Sequence, residues 1–307
     1  MKALVVDNEN QLVLKENLPL PVAGEGEILV QVKSASVNPF DAQSAAGNYD
    51  AYLNEYDTNE QVKTGLEFSG IVVQGGRRFG QGDKVFGYIH MIAGWKTHAE
   101  FIAINEDYLA LLPQEISFPQ GAAIPLGALT TLIAFTDIGQ LHPGMSLLIN
   151  GASGGLGLAG IQIGKILGAK VTAIAGPGQE AYLRDLGADT VYDRQQQELT
   201  GLDSHFDLIL DLTNQLTFKQ VKARLTPKGK FIPAEPNDDN GGNLASENIG
   251  YLMVFHGDHE KLTQIAAWLK EGKLRSVVDS EYAFTQHQQA FARLNVRGRR
   301  GRIILNW

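Results

Sequence analysis

Asn150-Gly151-Ala152-Ser153-Gly154-Gly155-Leu156-Gly157 follows the apolar run SLLIN (146–150) and opens the longer apolar run GLGLAGIQIGKILGA (155–169). The first run has the length of a buried strand. The second is apolar at helical spacing and closes at Gly168, a C-cap residue. The turn between them fits G-x-G-x-x-G, with Ala152 in the first glycine place. Small residues there let backbone amides approach a pyrophosphate, whose charge sits at the positive end of the following helix. Gly157 lets that helix pack closely on the sheet. A glycine-rich turn is weak evidence alone, and its plainer reading is a tight turn without a ligand. Here a strand precedes it, a helix follows, and a second strand–helix unit comes next. These features make Ala152, Ser153, Gly154, Gly155, Leu156 and Gly157 the expected cradle of a dinucleotide.

The same rhythm continues outward. Strands are expected at KVTAIA (170–175), TVYD (190–193), DLILDL (207–212) and KFIPA (230–234), with a helix QEAYLRDLGA ending at Gly187. This alternation predicts an α/β fold with a parallel, doubly wound sheet. Residues 1 to about 115 read differently. EILVQVKSASV, GLEFSGIVV, DKVFGYI and AEFIAI are short β-rich runs between Gly, Asp and Asn. After a helix capped by Asp258, VVDSEYAF and RIILNW return to strand texture and are expected to rejoin the first unit. The expected division is 1–120 plus 272–307 for the β-rich domain and 121–271 for the Rossmann domain.

An NAD site usually ends its second strand with a carboxylate for the ribose 2′-hydroxyl. Here Ala175 is followed by Gly176-Pro177-Gly178-Gln179, with no acid before Glu180. A 2′-phosphate would meet no repulsion beside Gly176, so NADPH is the expected cofactor. Arg184 and Arg194 either supply its counter-charge or belong to a solvated face.

Of the 307 residues, 44% are hydrophobic and 20% charged, and the net charge is −8. A nucleic-acid backbone would be repelled on average. The basic run RGRRGR (297–302) leads straight into the apolar IILNW and reads as a solvated turn before a strand. No apolar run is expected to reach the roughly 20 residues of a membrane span. The start of the chain lacks the pattern of a secretory signal, so the expected location is cytoplasmic. There is no cysteine, which removes disulfides, thiolate nucleophiles and cysteine-ligated zinc together. His256 and His259 are read as surface or capping groups. His90 and His98 receive no role.

Asn38-Pro39-Phe40-Asp41, Gly65-Leu66-Glu67-Phe68-Ser69-Gly70, Gly82-Asp83-Lys84-Val85-Phe86-Gly87, Ala99-Glu100-Phe101, AAIPLGALTT (122–131) and NGASGGLG occur in that order. Together they resemble the medium-chain dehydrogenase/reductase superfamily, and within it the zinc-free quinone oxidoreductase, zeta-crystallin-like branch. The resemblance implies a GroES-like catalytic domain, a Rossmann NADPH domain, and a nicotinamide lying in the cleft between them. It also implies a homodimer paired through the cofactor sheets. In zinc-dependent relatives a cysteine stands in the place of Asn38 and a histidine in that of Leu66, so no metal is expected here. By the same resemblance Asn38, Asp41 and Tyr49 are the catalytic candidates on the substrate side. Tyr49 is either a hydrogen-bond donor or a packing group among the tyrosines of 48–56. Thr130 either contacts the nicotinamide end or bonds to its own helix. Tyr192 is a candidate near the adenosine phosphate, although Asp193 and Gln179 replace a tyrosine and a lysine found in some members. Gln43 and Ala45 replace an aromatic-and-arginine set near the substrate. The expected reaction is metal-free hydride transfer from NADPH to a small quinone or related electrophilic carbonyl. The alternatives are reduction of an enal or enone double bond, and non-catalytic NADPH binding.

Overall fold

The computed structural model describes residues 1–7, 9–50, 62–197, 199–242 and 244–307, so Tyr52 and Tyr56 lie outside the described residues. Two compact units form. One comprises Met1–Leu126, Phe255–Gly272 and Ser276–Trp307, and the other Gly127–Val254 and Lys273–Arg275. The chain re-enters the β-rich unit at Phe255, earlier than the expected 272. The helix His259–Lys270 is the reason: its His259 Nδ1 donates to the Leu109 carbonyl at 2.7 Å. Just before it, the Gly257 amide donates to the Tyr88 carbonyl at 2.9 Å. Leu262, Ile265, Trp268 and Leu269 then give this helix a buried apolar stripe.

In chain order the strands are β1 (Ala3–Val6), β2 (Leu12–Lys15), β3 (Glu27–Val37), β4 (Glu67–Gln74), β5 (Lys84–Tyr88), β6 (Phe101–Asn105) and β7 (Leu109–Leu111). There follow β8 (Ser146–Asn150), β9 (Lys170–Ala175), β10 (Thr190–Asp193), β11 (Phe206–Asp211), β12 (Leu225–Pro233), β13 (Val278–Ala283) and β14 (Arg302–Asn306). The β-rich unit holds a seven-stranded sheet in the order β13-β14-β3-β4-β5-β7, with β6 also pairing with β3. The long β3 alternates buried and half-buried residues over its first part, the period-2 signature of a strand covered on one face. Its last four residues are all buried, and two of them, Ser34 and Ser36, are polar. Buried hydroxyls need partners, and those partners build the candidate site below.

The second unit is a parallel sheet ordered β10-β9-β8-β11-β12. The strands expected at 146–150, 170–175 and 190–193 form with those bounds. β12 starts at Leu225, five residues before the expected 230, because Pro227-Lys228-Gly229 is absorbed at a register shift against β11 instead of ending the strand. Ile249 adds one parallel bridge beside Phe231 at the outer edge. Strand order reverses between β8 and β11. A crevice outside the C-terminal ends of the strands is the usual ligand position at such a reversal.

The helix Gly155–Ile166 lies on this sheet through its small residues. A Cβ at Gly164 would stand 2.7 Å from the Leu147 side chain, which would have to shift, so glycine favours this close approach. The consecutive helical segments Phe118–Ala122, Pro125–Ile133 and Ala134–Ile138 span 21 residues whose most apolar window has mean hydropathy 1.5, long and apolar enough by composition to cross a membrane. This corrects the expectation that no apolar run reaches such a length. Of that most apolar window, 72% is buried within the protein.

Candidate active site

In the cofactor unit the loop after β8 is shaped by backbone alone. Gly151 has φ +83°, a conformation that side chains disfavour. The amides of Gly151 and Ala152 both donate to the Ile174 carbonyl at 3.0 Å, tying the loop to the end of β9. Gly154 caps the helix Gly155–Ile166 in an extended conformation and is exposed. The first-turn amides of Gly155, Leu156 and Gly157 have no intrahelical acceptor, as in any helix. A Cβ built at Gly154 has only the Gly151 carbonyl near it, at 3.6 Å, so the space above these amides is open. Gly157 is the opposite case: its Cβ would lie 2.5 Å from Ala152 Cα. That glycine serves packing, as its place in the motif demands.

Asp211, fully buried at the end of β11, organises the crevice. Its Oδ1 accepts from Asn150 Nδ2 at 2.9 Å and from the Thr213 hydroxyl at 2.7 Å, and its Oδ2 accepts from the Leu216 amide at 3.1 Å. A pocket of about 280 Å³ beside it is lined by Asn150, Ile174, Arg194, Thr213 and Leu216, among others. A second pocket, of about 480 Å³, opens along Gly176, Gly178, Gln179, Tyr192 and Asp193. The Arg194 amide donates to the Ala175 carbonyl at 2.9 Å, and its Nη2 would lie 3.9 Å from a Cβ at Gly176. Arg194 therefore stands at the end of β9, where a ribose 2′ substituent is read in this fold. Arg184 lines neither pocket. Its guanidinium bonds Glu180 Oε1 at 3.1–3.2 Å and the Asp189 carbonyl at 2.8 Å. Tyr192 packs partly against the apolar cluster of Ile174, Leu199 and Phe206.

Thr130 lies in the helix Pro125–Ile133 and is 8% exposed. Its buried hydroxyl has no partner among the described residues. The neighbouring Thr131 makes the helical back-bond instead, donating to the Gly127 carbonyl at 2.8 Å. A buried hydroxyl without a partner is costly by about 1–3 kcal/mol, which a ligand polar group would relieve. This orphan and the open cradle at Gly154 both fit a nicotinamide dinucleotide.

In the β-rich unit Asn38, Asp41 and Tyr49 gather around the short helix Pro39–Ala45. Asp41 is fully buried, and both its oxygens are engaged by backbone amides, from Asn38 at 2.6 Å and from Gly65 at 2.6 Å. Burial pushes its carboxyl above the ordinary range, against the opposing pull of His98, the two amides and Arg302. In this geometry Asp41 fixes the helix start and the Gly65 turn. Tyr49 stacks on Phe40 with ring centroids 4.4 Å apart, and its hydroxyl donates to Gln43 Oε1 at 2.6 Å. Asn38 is 2% exposed, and its Nδ2 donates to Ser36 Oγ at 2.9 Å.

A buried polar network stands behind Asn38, and sequence reading did not find it. Ser36 Oγ donates to Glu67 Oε1 at 2.7 Å, Glu67 Oε2 accepts from the Leu126 amide at 2.7 Å, and Arg302 Nε lies 3.0 Å from Glu67 Oε1. His98 Nε2 donates to the Ser36 carbonyl at 2.9 Å, so Nδ1 accepts from the Thr64 hydroxyl at 2.8 Å. Burial lowers the His98 pKa and favours this neutral form. Arg302 is buried within this network, which corrects the reading of 297–302 as a wholly solvated turn. The available signal was a carboxylate, Glu67, opening the otherwise uncharged run EFSGIVV.

Comparison with known proteins agrees with this layout. The model of the alcohol dehydrogenase GroES-like domain matches residues 24–122, and that of the zinc-binding dehydrogenases matches 186–305. The chain belongs to the medium-chain dehydrogenase/reductase superfamily. Within it, this chain is quinone oxidoreductase-like. It is 28% identical to the quinone oxidoreductase of Sus scrofa, over 95% of this chain and 92% of that protein. To the chloroplastic NADPH-dependent alkenal/one oxidoreductase of Arabidopsis thaliana it is also 28% identical, over 96% of this chain and 75% of the other. The quinone oxidoreductase structure from Coxiella burnetii superposes with a TM-score of 0.86 at 23% identity, covering 100% of this chain and 99% of that one, a likeness of fold.

Proposed function

We propose that this superfamily member is an NADPH-dependent oxidoreductase that reduces a quinone or a related electrophilic carbonyl without zinc. The observation that carries this reading is the open amide cradle at Gly154 together with the orphaned hydroxyl of Thr130. Ser153, Gly155 and Leu156 would hold the pyrophosphate, and Arg194 would face the 2′-phosphate beside Gly176. When bound, the cofactor supplies the hydride. Quinone and enone relatives support an acceptor that is already electrophilic and needs no Lewis acid. The donor chemistry points the same way. Asn38 and the buried Leu66 stand where zinc-dependent relatives have thiolate and imidazole, and neither replaces such a ligand. Tyr49 carries the proton-bearing group of the three candidates and must leave Gln43 to donate it to an acceptor oxygen.

We also infer a homodimer built on the cofactor unit. Beyond the isolated Ile249 bridge, in a segment outside any strand, Tyr251 and Met253 are exposed while Leu252 between them is buried, so apolar groups face outward next to the open edge of β12.

Fluorescence titration with NADPH and NADH tests the cofactor reading. NADPH is expected to bind more tightly, and Gly154→Val, which puts a side chain where the pyrophosphate lies, is expected to abolish binding in a protein that still unfolds cooperatively. Unchanged affinity in that variant would remove the reading. Oxidation of NADPH on adding 1,4-benzoquinone, compared with 2-hexenal, then separates carbonyl from double-bond reduction.

A further inference from the structure

The chain Glu67–Ser36–Asn38 has a direction. Glu67 is paired with Arg302, and a carboxylate only accepts hydrogen bonds. The Ser36 hydroxyl, 2.7 Å from Glu67 Oε1, must therefore give its one proton to Glu67. Its oxygen is left as an acceptor, and the group facing it, 2.9 Å away, must be the Asn38 NH₂. The amide is thereby turned so that Oδ1 is its free end. That oxygen is buried and has no partner among the described residues, on a side chain 2% exposed. Neutral amides are otherwise free to present either end. Here three fully or nearly fully buried residues remove the choice.

We infer that Ser36 and Glu67 are positioning residues that hold Asn38 as an obligate acceptor, so that this side chain reads an N–H or O–H group on the bound ligand. The inference rests on the proposed function for the identity of that ligand. An amide oxygen cannot donate to a developing oxyanion, so Asn38 does not stabilise the charge on the acceptor. Two groups in the reaction carry the required donor: the carboxamide NH₂ of the nicotinamide, and the hydroxyl that a quinone carbonyl becomes on reduction. Both present the same chemistry to Oδ1.

Matched ligands distinguish them. NADP⁺ is compared with its 3-acetylpyridine analogue, which keeps the carbonyl and loses the N–H. 1,4-Hydroquinone is compared with 1,4-dimethoxybenzene as an inhibitor of quinone reduction. The protein is expected to prefer the donor-bearing member of one pair by about tenfold, the size of one buried hydrogen bond. Preference in the first pair assigns the donor to the cofactor, and in the second to the reduced acceptor. Ser36→Ala is expected to shrink that preference to about twofold while leaving the affinity for the donorless ligand unchanged, because the amide is then free to turn. Asn38→Leu is expected to abolish it, and keeps the test available if Ser36→Ala fails to fold. No preference in either pair, in a protein that binds NADP⁺, overturns the inference and leaves the proposed function standing. A preference that survives in Ser36→Ala overturns the positioning role. Failure to bind NADP⁺ at all overturns the cofactor reading and this inference with it.

Discussion

Lys96 is fully buried, and its Nζ donates to the carbonyls of His90 at 3.1 Å, Ala93 at 3.0 Å and Gly94 at 3.4 Å. Burial lowers its ammonium to about 7, against the pull of Asp41. The unfolded chain keeps that proton to about pH 10, so between these values unfolding takes up a proton and stability rises with pH. Urea unfolding at pH 7 and 9.5 is expected to show this rise, and Lys96→Met is expected to flatten it. At Gly157 a Cβ meets backbone, which cannot swing aside. Gly157→Ala is expected to destabilise the cofactor unit by about 1–3 kcal/mol, read by thermal unfolding. The glycine motif made that position legible in the sequence. Lys96 was not, since a lysine in GWKTH reads as a surface charge. Nor were the partners of Asn38, because nothing in local spacing tells Ser36 that its acceptor lies on the next strand.

Among the elements, the strands of the cofactor sheet were legible because runs such as SLLIN and KVTAIA are short, apolar and bounded by glycine or polar residues. β12 was misjudged where a Pro-Lys-Gly triplet resembles a turn. The end of β9 carries the choice of cofactor. Arg194 is tied there through its own backbone, whereas Arg184 is already engaged by Glu180 and Asp189. Arg194→Ala is expected to weaken NADPH about tenfold and NADH hardly at all, the loss of one charge-assisted contact, while Arg184→Ala leaves the ratio unchanged. Equal effects of the two substitutions on titration would show that the 2′-phosphate is read elsewhere.

For the molecule as a whole, the two-unit plan was legible and the crossing point was not. The helix His259–Lys270 follows the cofactor strands in sequence but is anchored to β7 by one histidine bond, a tertiary fact that periodicity does not carry. The proposed dimer belongs to this scale. The double substitution Tyr251→Lys, Met253→Lys is expected to convert it to a monomer in sedimentation velocity, with NADPH binding retained.

The pairing of Ile303–Asn306 with Ser34–Val37 joins segments from opposite ends of the sequence, and β14 occupies an inner place between β13 and β3. During synthesis the parallel sheet has all five strands once Pro233 has emerged. In the β-rich sheet at that moment Glu27–Gln31 of β3 already have β6 as partner, but Ser34–Val37 still lack β14 and keep their hydrogen-bonding groups open. The nascent chain thus carries one finished sheet and one with a gap, and the window for misassembly stays open until β14 leaves the ribosome.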